Sequence, residues 1–367
     1  MSDFRPTSYF RELYKRGEEG GRLLASDFED REGWAKWRRA LRRKLRDLLG
    51  LRYAAALSPS LFRSTPSQIL ESLSASSERD MGTYTIRRVV FSGPSTPIPA
   101  YLLRPKEPNG AGVLALHGHG RGKDEVVGLE PNGRPSPDPG YQKVFASELA
   151  KRGFTVLAID QIGFGERREA EDVAQGPSQS SCWQLSTWAL MFGETAVGRR
   201  VLDAAASVEL LRALTKRRRV GVMGISGGGT VALYLSALFD GVDAVVVSGA
   251  LNTYERSILS IKHCIDNYVP GLLKYAEQYD VASLIAPRPL FFEHGEADPI
   301  FPIDGFRLAY EKVRRVYELL GAGEKLEAHA FEGGHEINGS RAYSFLEKWL
   351  VESGGGLAGP VRGSEVE

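Results

Sequence analysis

A chain of 367 residues that is 42% hydrophobic and 25% charged can bury a large core, and its composition excludes a disordered or fibrous protein. A formal net charge of +1 excludes a global electrostatic pull toward nucleic acid. No apolar run approaches the ~20 residues that span a bilayer, and two cysteines are too few for a disulfide framework.

Residues 1–80 are polar and arginine-rich, with no apolar targeting segment at the start, so the expected location is cytoplasmic. Trp34, Trp37, Leu41, Leu45 and Leu48 recur at three- and four-residue steps. That spacing predicts an amphipathic helix lying on the body, its basic face in water. Residues 58–80 are serine-rich and read as a connector. The first 80 residues are therefore expected to form a helical extension packed on a catalytic domain over 81–352. The tail 353–367 has no periodicity and is expected to be disordered.

From residue 83 the pattern alternates strands and helices. TYTIRRVVF and PIPAYLLRP read as two early strands, then GVLALHG, a helix over 140–152 and FTVLAID. A long helix over 193–216 precedes RVGVMGIS, a helix over 228–239 and VDAVVVSGA. PRPLFFEHG and EKLEAHAF are the last strands, and a final helix covers 340–352. Apolar strands separated by helices imply a mostly parallel sheet covered on both faces. Chemistry in such sheets sits at the carboxyl ends of the strands.

After RVGVM comes Gly224-Ile225-Ser226-Gly227-Gly228, a GxSxG motif between a strand and a helix. Small neighbours permit a sharp turn that exposes the serine hydroxyl. Ser226 is the expected nucleophile, and a serine needs a base. His335, in FEGGHEINGS after the last strand, is that base. Asp298, after PRPLFFEHG, is the orienting carboxylate, with Glu296 in reserve. Oxyanion donors are expected from the backbone amide of Gly227 and, in the loop HGHGRG, from that of His119. His119 and His117 also form an HxH pair, a metal-site pattern with no supporting HExxH. Long excursions over 161–192 and 251–280 are expected to line the pocket, with Trp183, Trp188, Tyr254 and Tyr268 as substrate-binding candidates.

HGHGRGK, AIDQIGFGER, ALMFGETAVGRRVLDAAASVELL, GISGGG, GEADPIFP and GGHE together resemble the dienelactone-hydrolase-like and acetyl-xylan or cephalosporin-deacetylase-like branch of the α/β-hydrolases. The resemblance covers approximately residues 83–352. It implies the α/β-hydrolase fold and a serine esterase acting on small acyl esters without a cofactor or metal. Dienelactone hydrolases proper carry cysteine where Ser226 stands, which favours an ordinary esterase. The expected partner is a small-molecule ester, with no nucleic acid and no membrane span, and a homo-oligomer is open. The rivals are a peptidase of the prolyl-oligopeptidase type, a metal-dependent hydrolase built on His117 and His119, and a non-catalytic pseudohydrolase. Pairing of Cys182 with Cys264 is left open.

Overall fold

The structure, a computed structural model, describes residues 5, 7–51, 77–94, 96–215 and 218–352. The tail 353–367 and most of the connector 58–80 lie outside the described residues. In chain order the strands are β1 (Glu78–Asp80), β2 (Tyr84–Phe91), β3 (Ile98–Pro105), β4 (Gly112–Leu116), β5 (Thr155–Ile159), β6 (Val220–Ile225), β7 (Ala244–Ser248), β8 (Leu290–Gly295) and β9 (Leu326–Phe331). The helices are α1 (Ser8–Arg16), α2 (Arg31–Leu48), α3 (Lys123–Val127), α4 (Phe145–Lys151), α5 (Ala170–Ala174), α6 (Cys182–Met191), α7 (Ala196–Leu214), α8 (Gly227–Leu238), α9 (Gln278–Ser283), α10 (Ile303–Leu319) and α11 (Ala342–Leu350).

One sheet runs β1-β2-β3-β5-β4-β6-β7-β8-β9. Its first three pairings are antiparallel and the rest parallel. The central strands GVLAL, VGVMGI and AVVVS are buried along their whole length, as a sheet covered on both faces requires. Leu116 pairs with Ile159 on one side and Gly224 on the other, and Gly224 pairs with Val247. This register brings the carboxyl ends of β4, β5, β6 and β7 to one edge. One face is packed by α2, α7, α8 and α10 and the other by α4 and α11.

The helix expected over 140–152 starts only at Phe145. Lys143 and Val144 adopt φ of 49° and 46°, which a helix cannot accommodate. The exposed edge strand β1 was not foreseen; it lies within the stretch read as connector.

In the N-terminal segment, the Asp30 side chain accepts from the Gly33 amide at 2.7 Å and starts α2. Trp37, Leu41 and Leu45 form its buried face. The basic face is not wholly in water. Arg42 donates to the Leu238 carbonyl at 2.6 Å, satisfying the end of α8, and with Arg38 it pairs to Asp240. Residues 23–26 then run beside the second excursion. Leu23 and Leu24 donate to the carbonyls of Lys274 and Tyr275, and the Ser26 amide donates to Asp280.

Candidate active site

Ser226 follows β6 directly and precedes α8. Its backbone sits at φ 56°, ψ −124°, a left-handed conformation costly for any residue with a Cβ. Its amide donates to the Ser248 carbonyl at 2.9 Å, and its carbonyl accepts from Thr230. The turn closes because Gly228 lies flat on β4: a Cβ there would come within 2.1 Å of the Leu116 carbonyl oxygen. The amino end of α8, with its unbonded amides and positive dipole, therefore opens at the serine.

Beyond β9, His335 places Nδ1 at 2.7 Å from Asp298 Oδ2, beyond β8. Asp298 Oδ1 accepts the amides of Ile300 and Phe301 at 2.8 and 3.0 Å. Burial raises the pKa of this carboxyl, but the His335 bond and the two amides bring it below its ordinary value. The His335 ring is stacked between Tyr141 and Phe301, at 5.5 and 5.7 Å between centroids. Its Nε2 is buried and has no partner among the described residues. The structure thus brings Asp298 and His335 together beside Gly249, where an added Cβ would touch both side chains. Glu296, the reserve carboxylate, is half-exposed and pairs with Arg307.

The loop after β4 approaches the serine closely. A Cβ on Gly118 would lie 3.0 Å from that of Ser226 and 2.1 Å from the Tyr141 hydroxyl. Tyr141 donates to the His119 carbonyl at 2.7 Å. Gln142 accepts from the Gly118 amide at 2.8 Å. Both grips come from the turn strained at Lys143 and Val144. The sequence reading missed Tyr141 and Gln142; the Pro/Gly-rich stretch before them carries no motif, and only the positive φ values mark the place. The His119 amide makes no hydrogen bond among the described residues.

His117 does not join His119 as a ligand. Its Nδ1 bonds the Gly118 carbonyl at 2.7 Å and its Nε2 accepts the Gln161 amide at 3.1 Å. Both nitrogens are spent on the backbone, and burial lowers its pKa to about 4. His119 meets a different set. Its Nε2 lies 3.2 Å from Asp266 Oδ2 and 3.9 Å from Cys182 Sγ. Cys182 and Cys264 are free thiols; with His119 and Asp266 they put four ligand-type atoms within 4.8 Å of one another. A cation already serves that group. Buried Arg200 places Nη1 2.5 Å from Asp266 Oδ2 and Nη2 3.3 Å from Cys182 Sγ. A divalent metal on the same carboxylate oxygen would face this guanidinium, so the donor set as arranged does not fit a metal.

The substrate-binding candidates separate. Tyr254 is in the core, its hydroxyl 2.9 Å from that of Tyr234, and does not reach the site. Tyr268 is partly exposed and donates to the Ile258 carbonyl. Trp183 and Trp188 lie exposed on α6, whose first residue is Cys182. Trp188 lines a cleft of about 740 Å³ with Ile162, Leu185 and Phe192; Ser226, Asp298 and His335 do not line it. Phe164, edge-on to both His117 and His119, is the aromatic that the first excursion brings to the serine side.

A family model for the alpha/beta hydrolase fold matches residues 113–294. YtaP of Bacillus subtilis (strain 168), by name a candidate hydrolase, is 30% identical over 269 residues, 69% of this chain and 83% of that protein. Among solved structures, a candidate acetyl xylan esterase from Bacteroides fragilis superposes with a TM-score of 0.69 at 16% identity, covering 96% of this chain and 91% of that one. A glucuronoyl esterase from Solibacter usitatus gives 0.52 at 16% identity, covering 79% and 93%. The two structural likenesses extend to the fold. No helix among the described residues is long and apolar enough to cross a membrane.

Proposed function

The chain belongs to the alpha/beta hydrolase family, and from that premise we propose that it is a serine carboxylic ester hydrolase acting on small acyl esters. The observation that carries the reading is a strained serine at a strand-to-helix turn, next to a histidine–aspartate pair 2.7 Å apart. Ser226 Oγ closes on His335 Nε2 when substrate enters, since catalytic hydrogen bonds commonly tighten only in the complex. The hydroxyl attacks the ester carbonyl, and His335 takes its proton and returns it to the leaving alcohol. Asp298 holds the imidazole in the required tautomer. The amides of His119 and Gly227 meet the oxyanion. Water then repeats the sequence on the acyl-enzyme. Crowding by Tyr141, Phe164 and Phe301 supports a short acyl pocket, and the names of the acetyl xylan and glucuronoyl esterases of like fold agree with an ester substrate.

The test is fluorophosphonate labelling together with Ser226→Ala. Labelling at Ser226 is expected, with a loss of turnover on the order of a million-fold in the variant. A folded variant that keeps a tenth of wild-type activity would sink the reading. Across aryl esters of rising chain length, acetyl to butyryl should exceed octanoyl. Faster cleavage of a peptide anilide would favour the peptidase rival.

A further inference from the structure

We propose that the His119 side chain acts as an imidazolium whose Nδ1–H donates to the oxyanion formed at Ser226, a charged third donor beside the two backbone amides. The proposal rests on the serine-esterase reading and deepens it, because that reading uses only the amide of this residue.

The ring has two edges with different surroundings. The Nε2 edge points into the protein, at Asp266 Oδ2 and Cys182 Sγ. The Nδ1 edge lies over the start of α8: a Cβ on Gly227 would stand 3.4 Å from Nδ1. The side chain is one-third exposed although Asp266, Arg200 and Cys182 are buried, so the open edge is the one that faces the serine. Phe164 fixes the ring plane edge-on at 5.0 Å.

The same contacts decide the protonation. A carboxylate oxygen at 3.2 Å requires a proton on Nε2, so Nδ1 carries a proton only in the doubly protonated ring. The groups facing His119 are Asp266, Cys264 and His263 from the second excursion, Cys182 from α6, Arg200 from α7 and His117 from its own loop. Burial works against the charge, but Asp266 first and Cys182 second outweigh it, and the pKa rises to about 9. Asp266 also accepts from Arg200 and from the Cys182 thiol at 3.1 Å, and its second oxygen accepts from Asn267. Asp266 therefore serves two cations, and Cys182, its thiol pKa pulled down by the Cys264 hydrogen bond and by Arg200, adds negative charge on the Nε2 side, while the Nδ1 proton of the doubly protonated ring stands at the edge nearest Ser226. A preorganised cation there is matched to the charge that develops in the transition state, and a charge-assisted hydrogen bond is roughly twice as strong as a neutral one.

The experiment measures kcat and KM for p-nitrophenyl acetate against pH, corrected for the buffer rate, in wild type, His119→Ala, His119→Asn and Asp266→Asn. The expected loss in His119→Ala is about 10²–10³-fold in kcat with KM little changed. His119→Asn places a neutral amide donor near the position of Nδ1 and should recover tenfold or more of that loss. Wild-type kcat should fall as pH rises through about 9, the His119→Asn profile should lack that limb, and Asp266→Asn should move it toward ~6.5. A folded His119→Ala within threefold of wild type overturns the proposal, as does an alkaline limb that persists in His119→Asn. One equivalent of zinc in the purified protein, removed by chelator together with activity, also overturns it. Fluorophosphonate labelling of wild-type Ser226 tests the serine reading separately: a labelled enzyme with an unimpaired His119→Ala removes this proposal and leaves that reading standing.

Discussion

Two histidine–aspartate pairs flank Ser226, and they are built differently. On one side His335 meets Asp298 through Nδ1 at 2.7 Å, and Asp298 is otherwise held by backbone amides alone. On the other side His119 meets Asp266 through Nε2 at 3.2 Å, and Asp266 is also shared with a guanidinium and a thiol. The first pair leaves a buried ring nitrogen, His335 Nε2, without a partner among the described residues. The second leaves a ring edge whose proton depends on a neighbouring negative charge. Both rings thus stand beside a carboxylate, and what differs is the nitrogen left free, Nε2 in His335 and Nδ1 in His119.

The largest expected effect that separates the two sides is Asp298→Asn. It should lower kcat on the order of 10⁴-fold by fixing the wrong tautomer of His335, while Glu296→Gln, at an exposed pair with Arg307, should change it less than twofold. Steady-state kinetics on folded proteins checks both. The reverse ranking would move the orienting carboxylate to Glu296 and break the comparison. Tyr141→Phe removes one hydrogen bond from the His119 carbonyl, worth about 0.5–1.5 kcal/mol, so a loss of roughly tenfold or less in kcat is expected. A loss as large as that of Ser226→Ala would make the hydroxyl a participant in the chemistry.

The last effect is on stability rather than on rate and comes from His117. Its folded pKa is depressed to about 4 by burial, so its contribution to stability is present above pH ~6.5 and is lost as pH falls toward about 4. At most about 3 kcal/mol is involved. Chemical denaturation of wild type and His117→Gln as a function of pH measures it. An acid limb of equal size in the two proteins would remove His117 from the account.

Ser226, Asp298 and His335 were legible in the sequence because each stands within a few residues of a strand end, after β6, β8 and β9 in turn. Strand periodicity and local glycines suffice to mark such positions. Asp266, Arg200 and Cys182 were not legible as a group, because they lie on two excursions and near the start of a long helix. Only three-dimensional packing brings them to His119. The aromatic candidates show the same limit. Tyr254 and Trp183 look alike in a polar-aromatic stretch, yet one is in the core against Tyr234 and the other is exposed on α6. Tyr141 escaped notice because the strained turn that aims it is a matter of backbone angles rather than composition.

The packing of α2 has a consequence during synthesis. Its apolar face, Trp37, Leu41 and Leu45, is covered in the finished protein by elements such as α8, whose last carbonyl Arg42 caps. About 180 residues separate the end of α2 from the start of α8. At the ordinary pace of about 5–20 residues per second, that amphipathic helix waits roughly ten to forty seconds on the ribosome before its surface is made. The lysine- and arginine-rich opposite face keeps the nascent segment hydrated through that interval.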